Sequence, residues 1–138
     1  MTAIGVVIVS YNTRELLRGC LASLRGCSRP LHTVVVDNAS QDGSAVLVRG
    51  QFPEVELLAL DRNLGFAGAT NQGIRVGLGI GEPGLALADP HPDLRHAPPE
   101  LVLLLNPDTV VHPGAIETLA AFLELHPRVG AVGPRLLN

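Results

Sequence analysis

The sequence predicts a parallel, doubly wound α/β sheet, Rossmann-like and flanked by helices, and three observations lead there. Short apolar runs at residues 4–9, 32–36, 55–60 and 101–105 alternate with stretches whose apolar residues recur at helical spacing, the pattern of βαβ units. The run Leu101-Val102-Leu103-Leu104-Leu105 is continuous rather than alternating, which predicts a central strand buried on both faces. Two of the runs also stop in the same manner, at Asp37-Asn38-Ala39-Ser40 and at Asn106-Pro107-Asp108. Ligands of open α/β sheets collect beyond the carboxyl ends of the strands. If the strands are parallel, Asp37 and Asp108 share one edge of the sheet.

The elements follow in order. The β-branched run 4–9 is the first strand and ends at Ser10-Tyr11-Asn12. Asn12 is placed to cap the next helix, with Glu15 in capping-box position. Leu16, Leu17, Cys20, Leu21 and Leu24 give that helix its apolar face, and Gly26 ends it. After the second strand, Ser40 is the expected N-cap of a short helix reaching about Arg49. Pro53 precedes the third strand. A helix over 65–78 follows, with Ala67, Thr70, Ile74 and Leu78 in one stripe. Gly68, Gly73 and Gly77 each cost about 1 kcal/mol inside it. Either tight packing on the sheet or a ligand held against the backbone would require them.

Residues 79–100 are a proline- and glycine-rich insertion, expected to be loosely ordered. Its Asp and His residues match no compact metal-ligand spacing. Beyond the fourth strand, Pro113 opens a helix with Ile116, Leu119, Ala120 and Leu123 on one face, ending at His126-Pro127. A last strand is expected at 129–132, and the abrupt end at Asn138 reads as a truncation.

At 138 residues the chain is one domain by length. A formal charge of −3 gives no electrostatic footprint for nucleic acid. Cys20 and Cys27 would lie roughly 10 Å apart along a helix, too far for an unstrained disulfide, which suits a reducing compartment. No signal peptide and no membrane-length apolar run is visible. The expected location is cytoplasmic, with attachment to the inner face of a membrane only through segments outside this chain. Ser10-Tyr11-Asn12 stands where a dinucleotide-binding Gly-x-Gly-x-x-Gly would be needed, and neither a P-loop nor a Gly-x-Ser-x-Gly elbow occurs. Two strand-end carboxylates suit a metal-bridged, phosphate-bearing ligand better than a hydride cofactor. The local alternative is that Asn106 and Asp108 only satisfy backbone donors in an Asx-type turn.

Four segments in this order carry a resemblance: Val9-Ser10-Tyr11-Asn12; Val35-Val36-Asp37-Asn38-Ala39-Ser40 with Asp42-Gly43-Ser44; Asn63-Leu64-Gly65-Phe66-Ala67-Gly68 with Asn71-Gln72-Gly73; and Leu104-Leu105-Asn106-Pro107-Asp108. The sequence is similar to the family 2 glycosyltransferases of GT-A fold, closest to the rhamnosyltransferase-like branch of cell-surface polysaccharide synthesis. The resemblance covers nearly the whole chain except 79–100. It implies a nucleotide-sugar-binding part of an inverting glycosyltransferase, acting on a UDP- or dTDP-sugar and on a glycan or lipid-linked acceptor. Ser10 and Tyr11 would line the nucleotide pocket, and Asp37 would accept a hydrogen bond from the pyrimidine. Asn63, Gly65 and Asn71 would border the donor. Asn106-Pro107-Asp108 occupies the place of the family's Asp-x-Asp motif, where Asp108 would bind Mg²⁺ or Mn²⁺. Asn106 replaces the first Asp and could still bond a ribose hydroxyl. The catalytic base would lie beyond Asn138.

Two further readings stay open on the residues alone. One is a non-catalytic nucleotide- or metal-binding module whose sheet edge serves a partner domain. The other is a nucleotidyltransferase, for which Tyr11-Asn12-Thr13-Arg14 is a poor triphosphate loop.

Overall fold

The β-branched run at the start of the chain forms the middle of the sheet. In the computed structural model, which describes residues 3–81 and 98–136, β1 (Ile4–Ser10) pairs in parallel with β2 (Leu31–Asp37) and with β4 (Leu101–Leu105). The short β3 (Glu56–Ala59) pairs in parallel with β2, giving the order β3-β2-β1-β4. Every carboxyl end therefore lies on one edge, as the sequence predicts.

Alternation along the strands sends side chains to two cores. Ile4, Val6, Ile8 and Val35 face α1 (Arg14–Leu24), α2 (Ser44–Gln51) and α4 (Ala115–Leu125), meeting Leu17, Cys20, Leu21, Leu47, Ile116 and Ala120. Val7, Val34 and Val36 face α3 (Gly65–Gln72), which continues as a π-helical turn (Gly73–Gly77) and packs Ala69 and Leu78. Each fully buried Val, Leu or Ile contributes about 1.5–3 kcal/mol relative to exposure. Two glycines of this segment, Gly73 and Gly77, serve this packing. A Cβ on Gly73 would stand 2.5 Å from Val7 Cγ1, and one on Gly77 2.5 Å from Val34 Cγ1.

Several expectations are corrected. Among the described residues β4 is an edge strand, not the central one. Leu101, Leu103 and Leu105 pack on the α1 side, whereas Val102 and Leu104 are 41% and 52% exposed on the other. An apolar run shows that burial is tolerated, not that a layer is present. Asn12 does not cap α1. It sits at φ 51°, and its side chain accepts from Gln41 N–H at 2.9 Å instead. Ser40 does not cap α2, which begins at Ser44; its hydroxyl accepts from Asn12 N–H at 2.9 Å. Ala67 is exposed, and Ala69 and Thr70 take the buried positions of α3. α4 starts at Ala115, after Gly114, rather than at Pro113. Residues 129–132 form no strand. They follow a turn in which Val129 N–H donates to His126 O at 2.8 Å, and no strand edge among the described residues pairs with them.

Both cysteines are free thiols, Cys20 buried on α1 and Cys27 beyond its end, so the two do not share the helix on which the expected separation rests. No helix among the described residues is long and apolar enough to cross a membrane. The expectation of loose order for the 79–100 insertion falls, for residues 82–97, outside the described residues.

Candidate functional site

Ser10 and Asp37 are register partners at the ends of β1 and β2. Counting from Ile8 and Val35, both side chains fall on the α1 face. Ser10 is fully buried, and its hydroxyl is 2.9 Å from that of Thr13. Asp37 is only 3% exposed. One carboxylate oxygen, Oδ2, accepts from Ser40 N–H at 3.1 Å, while Oδ1 is buried without a hydrogen-bond partner. A buried acceptor left unpaired costs about 1–3 kcal/mol, so this oxygen calls for a donor.

The loops beyond these strand ends are joined by side chains. Asn38 N–H donates to Ser10 O at 2.8 Å, its Oδ1 accepts from Leu64 N–H at 2.8 Å, and its Nδ2 donates to Gly65 O at 3.3 Å. Asn63 Oδ1 accepts from Gly65 N–H at 2.8 Å and shapes the entry to α3. Asp42 holds the other side: Oδ2 accepts from Arg14 N–H at 2.9 Å and Oδ1 from Ser44 N–H at 3.0 Å. It thus caps both α1 and α2. Partial burial works to raise the Asp42 pKa, but the Ser44 hydroxyl and the backbone donors outweigh it and hold the carboxyl below its ordinary value.

Across β1 from Asp37, β4 ends at Leu105 opposite Ile8. With strands spaced about 4.8 Å apart, the ends of β2 and β4 are about 10 Å apart. Asn106, Pro107 and Asp108 turn back there, with Thr109 N–H donating to Asn106 O at 3.2 Å. Asn106 and Asp108 are both exposed. Below the turn, buried Cys20 donates Sγ–H to Asn106 O at 3.7 Å. Burial, and next the Asp108 charge, push the Cys20 thiol up to about 11.

Of the residues singled out from sequence, Ser10, Tyr11, Asp37, Asn63, Gly65, Asn106 and Asp108 all lie at or just beyond the carboxyl edge. Tyr11 is 52% exposed on the β1–α1 loop. Asn71 stands apart, exposed on α3 and on the opposite sheet face from the Ser10 and Asp37 side chains. Asn38 and Asp42 are the structural anchors that sequence reasoning left without roles. The available signal for Asn38 was an amide immediately after a buried strand.

The family model described as Glycosyl transferase family 2 matches residues 5–79, just over half of the 138-residue chain. The chain belongs to glycosyl transferase family 2. An N-acetylglucosaminyl-diphospho-decaprenol L-rhamnosyltransferase of Mycobacterium tuberculosis (strain CDC 1551 / Oshkosh) is 34% identical over 130 residues, covering 94% of this chain. The chain spans 39% of that relative's length. The mannosyltransferase PcManGT from Pyrobaculum calidifontis, solved in complex with GDP-Man and Mn²⁺, matches with a TM-score of 0.64 at 23% identity, over 87% of this chain and 32% of that one. The structure of Staphylococcus aureus TarS 1–349 in complex with UDP gives 0.64 at 21% identity, over 96% and 38%. These likenesses show that this family 2 chain has the GT-A fold of glycosyltransferases.

A divalent cation fits this edge through a single carboxylate. No three His, Cys, Asp or Glu residues come together among the described residues, so no preformed protein cage is described. Mg²⁺-type sites, however, commonly use one or two carboxylates plus water and substrate phosphates. Asp108, exposed on its turn, fits the single-carboxylate version of that donor set.

Proposed function

We propose that this chain is the donor-binding part of an inverting glycosyltransferase, taking a sugar from UDP or dTDP to a glycan or lipid-linked hydroxyl. The partnerless, buried Oδ1 of Asp37 is the observation that carries the reading. A pyrimidine ring N–H reaching that oxygen supplies its missing donor, and a carboxylate acceptor makes such a bond stronger than a neutral one. Ser10 and Tyr11 line the approach from β1. Asn63 and Gly65 border the donor on the β3–α3 side, with Asn71 further along the same element. Asn106 bonds a ribose hydroxyl from the far side of β1.

Asp108 would hold Mg²⁺ or Mn²⁺ for the donor diphosphate. That cation supplies Lewis-acid stabilisation of the negative charge developing on the leaving group. The Asn38 and Asp42 networks keep the nucleotide-facing loops fixed before the donor arrives, so little ordering is needed on binding. In the reaction the acceptor oxygen attacks the anomeric carbon, the bond to the nucleoside diphosphate breaks, and the acceptor proton passes to a base. No residue described here is assigned as that base. The lipid-linked acceptor is supported by the name of the mycobacterial relative.

Titration calorimetry tests the reading. UDP or dTDP should bind the purified chain at least tenfold more tightly than ADP. Equal affinities would remove the role given to Asp37.

A further inference from the structure

We infer that Ser23 and Cys20, on one turn of α1, are positioning residues that fix Asp108 by clamping the two ends of its turn. This rests on the assignment of Asp108 to the metal and deepens it. After β4 the chain leaves the carboxyl edge and descends along the α1 side. By Glu117 of α4 it accepts from Ser28 N–H at 2.7 Å, ahead of β2 and therefore at the opposite edge. On the way down, two backbone groups are tied to α1. Asn106 O accepts from Cys20 Sγ–H at 3.7 Å, and Val111 N–H donates to Ser23 Oγ at 3.0 Å.

Cys20 and Ser23 are three apart and so share one helix face. The Ser23 hydroxyl also donates its own hydrogen to Cys20 O at 2.6 Å. Its hydrogen is thereby committed to the helix, and its lone pair is left for Val111. Residues 106–111 are held at both ends, with Pro107 fixing one φ between and Asp108 projecting free. A site with a single protein carboxylate depends heavily on where that carboxylate is held. Neither Cys20, which is buried in the core, nor Ser23 is placed in the donor site itself.

The experiment measures Mn²⁺ affinity of the UDP-saturated chain by the loss of the free-ion electron paramagnetic resonance signal, and UDP affinity without metal in parallel. Supporting residues behind metal ligands typically change metal affinity 10–100-fold. Ser23→Ala, which frees the Val111 end, should therefore weaken Mn²⁺ about tenfold and metal-free UDP binding much less, and Ser23→Thr, which keeps the hydroxyl, should restore both. Cys20→Ala, which removes the weak S–H bond to Asn106 together with a buried, packed Sγ, should weaken Mn²⁺ two- to threefold and serves if Ser23→Ala does not fold. Unchanged Mn²⁺ affinity in both alanine variants overturns the inference. So does a loss of UDP binding that is equal with and without metal, because the role is then merely structural. Asp108→Asn run alongside separates the two levels. If it abolishes Mn²⁺ binding while the α1 variants do nothing, only the clamp is wrong. If it too does nothing, the assignment of Asp108 fails and the clamp with it.

Discussion

Replacing Asp42 by alanine removes one acceptor from two helix N-termini at once. Its two oxygens receive Arg14 N–H at 2.9 Å and Ser44 N–H at 3.0 Å, and the Ser44 hydroxyl as well. Losing a side-chain cap costs about 0.5–2 kcal/mol per helix. The expected loss is therefore about 2 kcal/mol for α1 and α2 together, a sizeable share of the 5–15 kcal/mol typical of a domain. For a chain of this size that is a fall in Tm of about 6–10 °C. The loss has a pH signature. Because the folded-state carboxyl is held below its ordinary value of 3.8, its stabilisation is fully present above that pH. It disappears as pH falls through the lower, folded value. Urea unfolding of both proteins at pH 7 and near pH 3 should show a gap that narrows on acidification. A gap under 0.5 kcal/mol at pH 7, or one that widens in acid, refutes the double-cap argument.

Three other outcomes are expected. Gly77→Ala would set a Cβ 2.5 Å from Val34 Cγ1 and should cost about 1–3 kcal/mol by overpacking; adding Val34→Ala should recover part of it in denaturant melts. Glu117 is held down to about 2, first by the Ser28 backbone N–H and also by its hydroxyl. Its stabilising effect is complete above the ordinary 4.5 and lost as pH falls toward 2, so Glu117→Gln should flatten the acid limb of the stability curve in that window. Leu104→Gln, on the open face of β4, should change stability by less than about 0.5 kcal/mol. Leu21→Ala in the core should cost about 2–5 kcal/mol, and similar losses for the two would place a covering layer over β4.

The sheet was legible because its signals are local. Four apolar runs, their lengths and the helical spacing between them are properties of short windows, and strand polarity follows once the connections are helical. The polar residues that stop β2 and β4 could likewise be read directly. The caps could not, because Asp42 serves Arg14 across 28 positions and Asn12 serves Gln41 across 29. A capping box looks only three residues ahead. The same limit hid Asn38, whose three bonds join β1, β2 and the β3–α3 loop. Edge position is another non-local property. Val102 and Leu104 have the composition of a buried strand, and only the strand order shows that one face is open among the described residues. For 129–132 the sequence predicts a strand, and among the described residues no edge pairs with it. The glycines of the α3 segment left two explanations open, and the contacts of Gly73 and Gly77 with Val7 and Val34 account for both by packing.

The roles proposed for Asp37 at the base and Asp108 at the metal are separable in a thermal-shift matrix. Wild type, Asp37→Ala and Asp108→Asn are melted with UDP or ADP, with and without Mn²⁺. Ligand at about 100 times Kd should stabilise wild type by about 2.7 kcal/mol. Asp108→Asn should lose only the Mn²⁺-dependent part of the UDP shift while its ligand-free form melts almost as before. Asp37→Ala should lose UDP stabilisation with or without metal. Equal shifts by UDP and ADP, indifferent to both substitutions, would contradict both roles and favour a module that reads no nucleotide at this edge.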